Sequence, residues 1–80
     1  MEITGFIKDF AEALELTSWS HLKPESVFRD VVEGWDSLSA LIIITMIKSE
    51  YEVAIKANEF IDCKTIAELF NKVESLKNGE

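Results

Sequence analysis

The sequence predicts a small all-α bundle of three main helices and one short one, with a long loop between the first two main helices. Three stretches carry that prediction: an amphipathic N-terminal segment, an apolar run opened by Asp36-Ser37, and a capping box at Thr65. Residues 1–80 are read as one domain, because 80 residues with 48% hydrophobic side chains are just enough for a single core.

From the N-terminus, Ile3, Phe6, Ile7, Phe10 and Leu14 keep the spacing of one helical face, so the first helix runs to about Leu16. Its other face, Lys8, Asp9, Glu12 and Glu15, is solvated surface on which Lys8 and Glu12 stand one turn apart, within pairing range. Thr17 to Gly34 holds no sustained period. It reads as a loop packed down by Trp19, Leu22, Val27, Phe28, Val31 and Val32, with Pro24-Glu25-Ser26 able to start a short helical turn. His21, the single histidine, is expected in solvent; with no second histidine or cysteine at ligand spacing, no metal site is predicted. Trp19 and Trp35 are expected to pack.

Asp36 is a good N-cap, and Ser37 is then the first residue of the second helix, which should run to about Glu50. A hydroxyl at that place stands where free backbone N–H groups favour a phosphate, and Gly34 permits a tight approach. Apolar residues go nearly all round this helix. With Ile43, Ile44, Ile47 and Tyr51 inward, Leu41, Ile42 and Thr45 fall outward and Leu38 stands at the entrance, which points to a docking surface. Tyr51, Val53 and Ile55 then alternate with polar or small residues as an extended connection. Ala57 to Asp62 is long enough for a single helical turn, with Phe60 and Ile61 turned inward and Cys63 buried after it. Thr65 and Glu68 form the capping box of the last helix, whose inner face is Ile66, Leu69, Phe70, Val73 and Leu76.

Eight basic against fifteen acidic residues give a net charge of −7, which argues against nucleic acid and for docking to basic patches on other proteins. One cysteine allows no intrachain disulfide, and the longest apolar run is far too short to span a bilayer. A cytoplasmic monomer without stable membrane insertion is expected. No acid-base or nucleophilic constellation assembles from the lone histidine, the lone cysteine and scattered carboxylates, so no catalytic residues are assigned.

Taken with the looped half before it, the long helix after it and the acidic chain around it, Asp36-Ser37-Leu38 resembles the attachment motif of the acyl carrier proteins, and the resemblance covers the whole chain. It implies that Ser37 carries a covalent 4'-phosphopantetheine, placed there from coenzyme A by a phosphopantetheinyl transferase. The arm's thiol would hold acyl groups as thioesters for acyl-loading and acyl-processing enzymes. The partner-docking set is then Asp36, Leu38, Leu41 and Ile42, with Glu59 and Ile61 from the short turn. The chain departs from the family pattern in having no acid between Asp36 and Glu50. Ser39, Ile42 and Lys48 stand where many fatty-acid-synthesis carriers have carboxylates, which suggests partners from a specialised lipid or secondary-metabolite pathway. The residues leave two other readings open, an aminoacyl or peptidyl carrier and an unmodified helical adaptor that binds through Leu41 and Ile42.

Overall fold

The computed structural model describes residues 2–79, which form α1 (Ile3–Ala13), α2 (Phe28–Val31), α3 (Ser37–Tyr51), α4 (Ala57–Asp62) and α5 (Ile66–Lys77). The long helices α1, α3 and α5 pack on one another, and no strand forms among the described residues. Phe6 and Phe10 of α1, Ile43 and Ile47 of α3, and Ile66, Leu69 and Val73 of α5 meet in the core with essentially no exposure. Burying each such side chain contributes about 1.5–3 kcal/mol before the entropy of ordering is counted.

The end of the first helix differs from expectation, whereas the second main helix ends at Tyr51, one residue past the expected Glu50. The first helix stops at Ala13 because Glu15 turns left-handed, at φ 57°, and the Leu16 and Glu15 amides fold back onto the Ala11 and Glu12 carbonyls, each at 3.0 Å. This is a Schellman closure built without glycine. Glu52 closes α3 in the same left-handed conformation, at φ 58°. At that end the Tyr51 hydroxyl donates to the Asp9 carboxylate at 2.5 Å, tying α3 to α1. Burial and that neighbouring carboxylate push the phenol pKa upward. The expected Lys8–Glu12 pair does not form: among the described residues the one ion pair is Lys72–Glu59, at 3.4 Å.

The loop between α1 and α3 packs by Leu22, Phe28 and Val32, whereas Val27 and Val31 stay more than a third exposed. Its helical turn is α2, starting at Phe28 rather than at Pro24, where Ser26 N–H instead closes a turn onto the Lys23 carbonyl. The loop also completes the start of α5. Ile66 and Ala67 donate to the carbonyls of Ser26 and Pro24, at 3.1 and 2.8 Å, while Glu68 donates to Thr65 Oγ1 and Leu69 to the Thr65 carbonyl. The Leu69 bond is the first of the helix itself; with Thr65 N–H held by the Glu68 carboxylate at 3.1 Å, the amides of Thr65, Ile66, Ala67 and Glu68, which a helix cannot satisfy internally, are all bonded. Within α3, Met46 is buried and Ile44 and Tyr51 are only half-buried, so the inward stripe is Ile43, Met46 and Ile47. Ile42 is half-buried rather than outward. Ile61, expected inward, is 67% exposed, and Phe60 alone enters the core from α4.

Carboxylates start three of the helices. The Asp36 carboxylate accepts from Ser39 N–H at 3.0 Å, Glu59 from Lys56 N–H at 3.0 Å, and Glu68 from Lys64 and Thr65 N–H at 2.7 and 3.1 Å. These backbone hydrogen bonds favour the ionised form and hold all three carboxyls below their ordinary range.

Two outcomes check this account. Replacing left-handed Glu52 by Asn should raise stability by about 0.5 kcal/mol, read as a higher urea midpoint at unchanged slope. Because the three carboxyls are depressed in the folded chain, their stabilisation is whole above about pH 5 and is lost as pH falls below about 4. Far-ultraviolet dichroism should show helix loss on that acid limb, and Glu68→Gln should begin less stable at neutral pH and lose less on acidification.

Candidate functional site

The centre of the site is the entry to α3. Gly34 takes φ +74°, which turns the chain out of the loop; a side chain there would meet no atom within 4 Å, so the conformation and not a close approach calls for glycine. Trp35 follows and is held between two rings, its indole tilted 6° from Phe10 and 6° from Phe60 at centroid distances of 6.2 and 6.3 Å, with Phe28 edge-on at 5.1 Å. Such offset and edge contacts each add about 0.5–1.5 kcal/mol to the burial of the rings. They fix the residue two places before Ser37.

Asp36 then caps α3 in a reciprocal arrangement: its carboxylate takes Ser39 N–H and Ser39 Oγ–H, while Ser39 Oγ receives Asp36 N–H. The capping bonds run between Asp36 and Ser39 and leave the hydroxyl of Ser37 out. Ser37 is the first helical residue and is exposed. The Asp36 carboxylate already compensates part of the helix dipole at this start.

Beside Ser37 opens a cavity of about 270 Å³ between α3 and α4, walled by Ala40, Leu41, Ile44, Ala57, Phe60 and Ile61. Apart from the serine itself, no wall side chain carries a polar group. Leu41 and Ile61 are exposed by 58 and 67%, so the mouth of the cavity has an apolar rim, and Leu38, next in the chain to Ser37, is exposed by 61% without lining the cavity. Glu59 stands on the same short helix, but its carboxylate is engaged by Lys56 N–H and Lys72. Of the residues singled out from the sequence, the fold gathers Ser37, Leu41 and Ile61 around one opening. Ile42 goes elsewhere: it lies on another flank of α3, over a groove shared with α1.

Arg29 escaped the sequence reading. Its guanidinium donates to the Cys63 carbonyl at 2.6 Å and to the Phe60 carbonyl at 3.2 Å, and lies over the rings of Phe28 and Phe60 at 4.6 and 5.5 Å. It therefore fastens the C-terminal end of α4, one wall of the cavity, to the loop. The available signal was compositional, since this is the chain's only arginine and it follows a buried phenylalanine. Cys63 is buried, and burial pushes its thiol pKa upward, which keeps it a protonated packing group.

Among the described residues, no helix is long and apolar enough to cross a membrane. No curated protein and no solved structure gives a significant match to the chain. A family model does match, the phosphopantetheine attachment site, over residues 7–73. An exposed serine at a capped helix start, with an uncharged cavity beside it, fits a covalent arm of that kind. The chain belongs to the phosphopantetheine attachment site family and is a carrier domain of the acyl-carrier-protein type, the site of covalent 4'-phosphopantetheine attachment.

Proposed function

We propose that Ser37 is the residue that bears the 4'-phosphopantetheine arm, and that residues 1–80 work as one domain carrying acyl groups in the cytoplasm without catalysing reactions themselves. The observation that supports an acyl cargo best is the cavity beside Ser37, whose walls offer hydrocarbon and no charge. An acyl chain lying there would gain about 0.8 kcal/mol for each methylene withdrawn from water. An aminoacyl group, with its ammonium, would lose solvation in the same place.

When bound, the group supplies a thiol that holds cargo as a thioester. The chain's own residues do the rest. Asp36 and Trp35 hold the entry to α3 in one conformation, and Ser37 faces solvent where a transferase can reach it. Leu38, Leu41 and Ile61 form the apolar contact for loading and processing enzymes, flanked by the carboxylates of Asp36 and Glu59. Such a surface recognises partners by shape and burial more than by charge, because no acid lies on α3 between Asp36 and Glu50. That supports a specialised lipid or secondary-metabolite pathway rather than a general acidic-helix partnership. Ile42 is left out of this contact, since it lies over the groove with α1.

Intact mass after incubation with coenzyme A, magnesium and a broad-specificity phosphopantetheinyl transferase tests the attachment. The unaltered chain should gain one phosphopantetheinyl group and Ser37→Ala none; a gain by both would overturn the assignment of Ser37. Cargo is tested by thermal unfolding of the octanoyl-loaded and acetyl-loaded forms. Octanoyl should raise the midpoint more than acetyl, and Ala57→Trp, which fills the cavity from its rim, should abolish the difference. Equal midpoints in the unaltered chain would speak against an acyl chain in this cavity.

A further inference from the structure

A second concave surface lies on another flank of α3. It is a groove of about 440 Å³ between α1 and the C-terminal half of α3, with Ala13, Ile42 and Met46 forming an apolar floor and Asp9, Glu12 and Glu50 a rim of carboxylates. Neither lysine nor arginine lines it. Helical spacing separates this flank from the cavity at Ser37: positions 37, 40, 41 and 44 share one stripe of α3, and 42, 45, 46, 49 and 50 another. Along the axis, Ser37 and Met46 stand about 13 Å apart.

The chemistry of the groove selects its occupant. An apolar floor rewards a hydrocarbon side chain, and Met46 in that floor can adapt its shape to one. Rim carboxylates reward positive charge on either side of that side chain. Among the described residues no ion pair engages Glu12 or Glu50, and Asp9 accepts only the Tyr51 hydroxyl. A second copy of this chain is disfavoured by its net charge of −7, and an anionic membrane by the same rim. We infer that this groove docks a basic amphipathic segment of a partner protein, an aliphatic or aromatic side chain seated on Ile42 and Met46 with flanking lysines or arginines meeting Asp9, Glu12 and Glu50. A segment held there leaves the entry to α3 uncovered. The carrier can thus be tethered by one partner while Ser37 is served by another, and tethering raises the effective concentration of the second encounter.

The inference does not rest on what Ser37 carries, so it is tested on the unmodified chain. The probe is a fluorescein-labelled helical peptide with one leucine stripe and one lysine stripe; its controls are a scrambled peptide of equal charge and a peptide with glutamate in place of lysine. Fluorescence anisotropy should show binding of the striped basic peptide at least about tenfold tighter than either control. The double variant Glu12→Lys, Glu50→Lys, which alters only exposed positions, should weaken it by about tenfold. Amide shift mapping should place the peptide at Ala13, Thr45 and Ser49. Equal binding of the scrambled peptide, no loss in the double variant, shifts centred on Leu38, Leu41 and Ile61, or no binding at all would each overturn the inference. An amide spectrum of the double variant that matches the parent away from the two positions keeps misfolding from counting as loss of binding.

Discussion

The packing of four aromatic rings, Phe10, Phe28, Trp35 and Phe60, is the interaction on which the working half of this molecule depends. Each ring comes from a different piece of chain: α1, α2, the turn before α3, and α4. None of those pieces, the 11 residues of α1 included, is long enough to be stable as a helix by itself, so their positions are set by side-chain packing more than by backbone hydrogen bonding. Trp35 has the decisive place. It lies between Phe10 and Phe60 and so refers the entry of α3 both to the first helix and to the wall of the cavity. Ser37 is exposed, yet the chain before it is anchored, so the start of α3 combines access with a fixed orientation.

The loop between α1 and α3 follows from the same constraint. A segment of that length without structure would carry a large ordering entropy, and this one offsets it in two ways. It buries Leu22, Phe28 and Val32, and it lends the carbonyls of Pro24 and Ser26 to amides that α5 cannot satisfy alone. Arg29 adds a third attachment, to the last carbonyls of α4. The loop is therefore an adhesive between α4 and α5 as much as a connection between α1 and α3.

The starts of α3 and α5 were legible in the sequence, and the end of α1 was not. A start is announced by a side chain acting on its own backbone, as Asp36 does at α3 and Thr65 with Glu68 at α5, so a few adjacent residues carry the whole signal. The ends of α1 and α3 are left-handed residues, and both are glutamates; nothing local distinguishes Glu15 or Glu52 from a residue that continues a helix. Burial was legible where a long period could be read, as in α1 and α5, and failed in the short pieces. Six residues of α4 do not fix a face, so Ile61 was turned inward when only Phe60 is. Leu41 and Ile42 are neighbours in sequence and alike in chemistry; helical spacing sets them on different flanks, but which flank lies beside α1 and which beside α4 no local pattern states.

That separation explains how a helix that is apolar nearly all round can belong to an acidic protein. The α3 helix is not one hydrophobic surface but three stripes with different surroundings: a core stripe of Ile43, Met46 and Ile47, a stripe beside Ser37 walled by α4, and a stripe beside α1. Acidic residues are missing from α3 between Asp36 and Glu50, but they are supplied to one of its flanks by α1, through Asp9 and Glu12. The flank at Ser37 receives no such rim; its nearest carboxylates, Asp36 and Glu59, are committed to helix starts. The two faces therefore differ in kind, one open to apolar contact around Ser37 and the other to apolar contact framed by negative charge. Proteins that bound these two faces would recognise different physics on one helix and would not compete for the same residues.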